Sequence, residues 1–306
     1  MKKALITGVD GFTGVYLAEE LTSAGYDVAG IGLAPEPAAL LMGGYFRVDM
    51  MDLPSLETVI SDIRPDAVFH LAAMSHVTRD TAEQLYRINI MATRNLLEAL
   101  CTGIHTPEEV ILASTANLYG SREGILSEDT PLVPQNDYAV SKLAMEYMAA
   151  LWKKRLPLTI VRPFNYTGRG QSGQFLIPKL IRHFAAHTAV IEMGNTDVSR
   201  DFSDVRDVVA AYTRLAVTRA PWGPFNICSG TAHSLDDILE MLREMTGYCP
   251  EIRINPAFVR YNDVKRLQGS RQRLEAQIGD IKPRPLRETL HWMLDGAIQE
   301  GLNIWN

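Results

Sequence analysis

The chain has 306 residues, 46% of them hydrophobic and 22% charged, with a net charge of −6 at pH 7. That length allows about two domains with a full core, and the acidic balance argues against a nucleic-acid partner. Cys101, Cys228 and Cys249 are too few and too scattered for a disulfide framework or a metal site. With no apolar run of membrane-spanning length and no signal-peptide pattern at the start, a soluble cytoplasmic protein is expected.

In chain order, Lys3 to Thr7 is a short apolar strand that runs into Gly8-Val-Asp-Gly11-Phe-Thr-Gly14 and then an amphipathic helix over Thr13 to Ala24. Strand, glycine turn and helix make a dinucleotide site: Gly8 permits the turn, Gly11 lets backbone approach a pyrophosphate, and Gly14 allows close helix packing. Amides around Phe12 and Thr13 at the helix start are offered to phosphates. The next strand, Asp27 to Ile31, leads into Gly30-Ile-Gly32-Leu-Ala-Pro-Glu36. An NAD site places an acid about twenty residues beyond the glycine turn, and an NADP site a basic residue. Gly32 stands near that place and Arg47 is the nearest cation, so NADP or NAD is expected as cofactor, with NADPH slightly preferred.

Further strands at Ala67 to Leu71, Glu109 to Ala113 and Leu158 to Arg162 alternate with helices at Ser55 to Ile63, Ala82 to Leu100 and Tyr138 to Trp152. The alternation predicts an α/β fold, a doubly wound parallel sheet of Rossmann type. Beyond Pro163 the pattern loosens into a smaller C-terminal lobe for substrate. The dinucleotide domain is set at 1–163, with segments near 204–228 returning to it, and the substrate lobe at 164–306.

Ser114-Thr115 upstream of Tyr138-Ala-Val-Ser-Lys142 carries the chemistry. A spacing of four puts Lys142 one helical turn beyond Tyr138, where its ammonium can favour the phenolate and reach a ribose. Thr115 supplies a hydroxyl on the other side. The spacing alone is unspecific, since Tyr261 and Lys265 repeat it without companions. His183 and His187 lie four apart but lack a third ligand, so no metal is expected.

Gly8-x-x-Gly11-x-x-Gly14, His70-Leu-Ala-Ala73, Asn89 in Ile-Asn-Ile, Ser114-Thr115-x-x-x-Tyr119, Tyr138-x-x-x-Lys142 and Arg162-Pro-Phe-Asn165 occur in one order and spacing. Over nearly the whole chain they resemble the extended short-chain dehydrogenase/reductase family. Arg162-Pro-Phe-Asn-Tyr-Thr-Gly, Ser199-Arg-Asp-Phe-Ser-Asp-Val-Arg-Asp, Phe225-Asn-Ile-Cys-Ser-Gly230 and the Asn255 to Ser270 segment narrow the likeness. They resemble the branch that forms GDP-6-deoxyhexoses, its 4,6-dehydratases and 4-keto reductases.

The resemblance implies that Asp49, Leu71, Ala72, Ala73 and Asn89 border the dinucleotide, although a buried helical Asn satisfied by backbone would look the same. It implies that Arg200 and Arg260 clamp a diphosphate, with Asn165 donating to it, and that Lys179 borders the base. It further implies that His76 and Asn117 line the sugar pocket and that Asp263 meets ribose hydroxyls. Arg169 stands where relatives carry Pro, which leaves that loop's geometry open. The helices over 82–100 and 138–152 resemble those that pair in homodimers of this family.

At position 117 the dehydratases carry Glu, an acid/base for loss of the C6 hydroxyl, and Asn117 cannot exchange protons near neutral pH. The expected activity is therefore reduction of the 4-keto group of a nucleotide-linked 6-deoxy sugar, GDP-4-keto-6-deoxy-D-mannose, to a GDP-6-deoxyhexose. Dehydration of GDP-mannose, 4-epimerisation and, more remotely, non-catalytic dinucleotide sensing remain open alternatives.

Overall fold

In this computed structural model residues 1–37, 39, 41–75, 81–258 and 265–299 are described. His76, Arg260, Tyr261 and Asp263 lie outside the described residues.

The apolar runs form strands β1 (Lys3–Thr7), β2 (Asp27–Gly32), β3 (Tyr45–Arg47), β4 (Ala67–His70) and β5 (Glu109–Ala113). After the short β6 (Ile125–Leu126) come β7 (Leu158–Pro163), β8 (Asn165–Thr167), β9 (Val190–Met193), β10 (Ser199–Asp204) and β11 (Pro224–Ile227). Seven of these make one parallel sheet in the order β11-β7-β5-β4-β1-β2-β3. Strands such as Ala67–His70 are buried along their whole length, which is why they read as continuous apolar runs rather than alternating ones.

Helices cover both faces. On one face α1 (Phe12–Ser23), α7 (Val205–Thr218) and α9 (Gln272–Ile278) bury Leu17, Leu21, Tyr212, Leu215 and Leu274 against the sheet. On the other, α2 (Leu53–Ile63), α4 (Thr93–Thr102) and α5 (Asp137–Ala150) bury Leu56, Ile60, Leu96, Leu100, Met145 and Ala149. The strand order reverses between β1 and β4, so the turn after β1 and the segment after β4 flank the crevice where such sheets bind ligands.

The helix expected from Ala82 to Leu100 is interrupted. It runs as α3 (Ala82–Tyr86), a π-helical turn over Arg87–Ala92, and then α4. The wider turn is centred on Asn89, whose backbone carbonyl accepts the Thr93 hydroxyl at 2.9 Å while its side chain leaves the helix. Such one-turn widenings concentrate at functional positions.

A second, smaller sheet places β10 between β12 (Ala232–Ser234) and β14 (Arg266–Gly269), with β8 also pairing β10. Around it α6 (Leu176–Ala185), α8 (Leu235–Thr246) and α10 (Leu286–Gln299) bury Leu180, Phe184, Leu239 and Leu290. β13 (Glu251–Ile254) pairs with β9 alone.

Candidate active site

β1 ends in Gly8, whose φ of +74° favours glycine and whose added Cβ would lie 2.7 Å from the Ala72 nitrogen. The close approach locks the turn to the segment after β4, where Leu71 N–H donates to Thr7 O at 3.1 Å. Gly11 caps α1 without any side-chain bond, so the first helical amides stay available to an anion. At Gly14 a Cβ would fall 2.5 Å from Gly8 O, so the helix can start this close only with glycine. These backbone cradles fit a dinucleotide pyrophosphate. The side chains of Phe12 and Thr13 turn elsewhere: Phe12 stacks on Tyr166 and the Thr13 hydroxyl bonds Tyr166 Oη at 2.8 Å. They tie α1 to β8, leaving only their backbone for phosphates.

The proton-handling residues meet above β5. Thr115 follows the strand, buried, and its Oγ1 accepts from Asn117 N–H at 3.2 Å; its hydroxyl is also near enough to the Tyr138 phenol to favour the phenolate. Lys142, buried one turn along α5, donates from Nζ to Ala113 O at 2.8 Å. Burial pushes the Lys142 ammonium down to about 8, with the Glu146 carboxylate opposing the shift. Tyr138 departs from expectation. Burial, and after it Tyr166, raise the phenol above its ordinary range, and only the Thr115 hydroxyl pulls it back. Burial dominates, and Lys142, the cation expected to favour the phenolate, is not among the groups that shift the phenol.

Supporting contacts that the sequence did not reveal surround this group. His70 ends β4 between two hydroxyls, Thr7 Oγ1 on Nδ1 and Thr93 Oγ1 on Nε2, each at 2.7 Å. Burial, with Lys142 nearby, pushes it down to about 3 and keeps it neutral. Asn89 clamps the segment after β4: its Oδ1 accepts Met74 N–H at 2.8 Å, and its Nδ2 donates to Met74 O at 3.0 Å and Ser141 Oγ at 2.9 Å. Ser141 itself donates to Tyr138 O. Arg162 forks onto buried Glu146 at 2.9 and 2.6 Å and touches Tyr119 Oη, fixing the far end of α5 to β7. Any strand-end His or helical Asn can be a filler, so only the assembled contacts reveal these roles.

On the substrate side, Asn117 is exposed on the turn at 116–119, beside Thr115. Asn165 starts β8 with its buried Nδ2 unbonded among the described residues, and the buried Ser114 Oγ is likewise unbonded. Buried polar atoms of this kind call for a partner, which suits a ligand rich in hydroxyls and phosphate oxygens. Arg200 lies on β10, two residues before the Phe202 that pairs with Asn165, and its Nη1 donates to Ser199 O. Lys179 reaches Glu192 O at 2.7 Å. Asp49 is exposed and accepts Met51 N–H, while Asp52 caps α2. The Arg169 loop is settled by Trp292, whose carbonyl accepts the guanidinium and whose ring lies 4.9 Å beneath it. His187 stacks on Tyr248.

The profile of the family described as GDP-mannose 4,6 dehydratase matches residues 5–293, nearly the whole length of the chain. The chain belongs to this family. Its fold and glycine turn are those of the extended short-chain dehydrogenase/reductases, the NAD(P)-dependent group expected from the motifs. It is 32% identical over 97% of its length to a GDP-6-deoxy-D-talose 4-dehydrogenase of Aggregatibacter actinomycetemcomitans, covering 99% of that protein. With a GDP-6-deoxy-D-mannose reductase of Pseudomonas aeruginosa it shares 33% identity, over 96% of each. The solved structure of RMD from Pseudomonas aeruginosa complexed with NADPH superposes with a TM-score of 0.84 at 29% identity, covering 98% of this chain and all of that one.

Proposed function

We propose that the protein reduces the 4-keto group of a GDP-linked 6-deoxy sugar, taking GDP-4-keto-6-deoxy-D-mannose to a GDP-6-deoxyhexose at the expense of NADH or NADPH. The observation that carries this reading is the Thr115, Tyr138 and Lys142 cluster with Asn117, not a carboxylate, on the adjoining turn. A proton donor is present, and the acid/base that dehydration requires at position 117 is missing. The near full-length likeness to a reductase and a dehydrogenase of GDP-6-deoxy sugars supports it.

In this reading the dinucleotide lies across the Gly8 to Gly14 turn, against Leu71, Ala72 and Ala73, and supplies a hydride to C4. Tyr138 gives its proton to the oxygen that gains charge, and Thr115 donates to the same oxygen and orients it. Lys142 holds the nicotinamide ribose and supplies the nearby positive charge that eases departure of the phenolic proton. Asn89 keeps the segment around Met74 in place beneath the nicotinamide. Asn165, Arg200 and Arg260 hold the diphosphate; Lys179, His76, Asn117 and Asp263 complete the nucleotide-sugar pocket. The substrate sits between residues 1–163, joined by 204–228, and the lobe at 164–306.

Met91, Val140 and Tyr147 on the helices over 82–102 and 137–150, with Leu151 just after the second, are exposed apolar residues, which suits a homodimer joined through them. Light scattering tests it, a monomer being the contrary result. Free Cys101, Cys228 and Cys249 suit the cytoplasm. Consumption of NADH or NADPH equal to the sugar reduced tests the activity; a 4-epimerase built on the same three residues would turn over without net consumption.

A further inference from the structure

The place where a dinucleotide site of this fold usually carries its ribose-binding acid, the end of β2, is filled in an unusual way. Gly32 stands there, and a Cβ on it would lie 1.8 Å from Asp10 Oδ2 and 2.8 Å from Tyr45 Oη. Asp10 comes from the glycine turn itself and crosses over to the end of β2. Its Oδ2 accepts Leu33 N–H at 3.1 Å, Ala34 N–H at 3.2 Å and Tyr45 O–H at 2.8 Å. Its Oδ1 is shielded from water and has no hydrogen-bond partner among the described residues. A carboxylate oxygen left in that state costs stability until a donor reaches it.

We propose that Asp10 is the acid that reads the adenosine ribose, accepting its 2′-hydroxyl through Oδ1, and that it makes the protein prefer NADH to NADPH. The inference rests on the oxidoreductase reading above and reverses the slight preference for NADPH expected from the sequence. Chemistry favours it on two counts. A hydroxyl donor satisfies the unpaired oxygen, whereas a 2′-phosphate would bring negative charge against a carboxylate whose other oxygen is already committed. The nearest opposing feature is Arg47, which ends β3 directly opposite Gly32. Arg47 is exposed and its charge reaches the Tyr45 hydroxyl that donates to Asp10, but no hydrogen bond or ion pair joins it to Asp10 itself among the described residues.

The test is isothermal titration calorimetry of the intact protein with NADH and with NADPH, for wild type, Asp10→Asn and Arg47→Ala. Wild type should bind NADH about tenfold or more tightly than NADPH, and Asp10→Asn should move that ratio about tenfold toward NADPH. Tighter binding of NADPH by wild type, abolished in Arg47→Ala, would overturn the proposal in favour of Arg47. An equal loss for both cofactors in Asp10→Asn would reduce Asp10 to a loop clamp and overturn it too. Because binding is read without sugar, an enzyme inactive on GDP-sugars yet selective for NADH would sink the proposed reaction and leave this assignment standing.

Discussion

Replacing Lys142 by methionine should abolish turnover and, at neutral pH, stabilise the fold. Lys142 is fully buried, and burial pushes its ammonium down from 10.5 to about 8, a penalty on the order of 3 kcal/mol. That energy is the cost of keeping the charge inside the protein below pH 8. Methionine removes it but also removes the hydrogen bond to Ala113 O, whose loss costs about 1–3 kcal/mol. Glu146 keeps its fork onto Arg162, so no second charge is stranded. The net gain is about 1 kcal/mol at pH 7, or roughly 2 °C in the melting midpoint for a chain of this size. The sign with pH follows from a depressed folded pKa: between 8 and 10.5 the unfolded chain binds the proton that the folded one has released, so wild type recovers stability as pH rises. The advantage of Lys142→Met should therefore be present at pH 7 and gone near pH 10. Differential scanning calorimetry of both proteins across that range measures it. A variant less stable than wild type at pH 7, or a difference that does not change with pH, would refute the argument that Lys142 is a strained functional charge.

Three further outcomes are expected. Tyr138→Phe should retain dinucleotide binding by calorimetry while kcat falls by about 10²-fold or more, and full activity would remove Tyr138 from the acid's role. Glu109, buried at the start of β5 without a well-formed hydrogen bond, is pushed by burial up to about 7. A raised carboxyl pKa gives stability that is complete below about 4.5 and lost as pH rises through 7, so Glu109→Gln should melt above wild type at pH 8, by up to about 3 kcal/mol, with the gap closing by pH 5. A gap independent of pH would contradict this. Asn89→Ala frees both backbone groups of Met74 and should weaken dinucleotide binding about tenfold; unchanged affinity would make the clamp irrelevant to the site.

The strands were legible because burial on both faces demands apolar runs, and the turn at Gly8 because backbone so close to Ala72 excludes every side chain. Helix ends shifted by a residue or two where local caps decide them, as Asn136 does for α5 by accepting Ala139 N–H. The spacing of Tyr138 and Lys142 announced a helix face, and the structure joins that face to Thr115. What periodicity could not reveal were contacts across long sequence gaps. His70 between Thr7 and Thr93, Asn89 on Met74, and Asp10 at the end of β2 each depend on the order in which strands lie side by side. The phenol's raised pKa was missed for a related reason: pairing it with a lysine ignored that the fold also buries it.

The proposed reaction is net reduction of a 4-keto GDP-sugar. It is tested most directly by following absorbance at 340 nm with purified protein, NADH or NADPH, and freshly generated GDP-4-keto-6-deoxy-D-mannose, then separating the products. Loss of reduced cofactor matched one for one by a new GDP-6-deoxyhexose is the predicted result. Unchanged absorbance, or conversion of the sugar without consumption of cofactor, would contradict it.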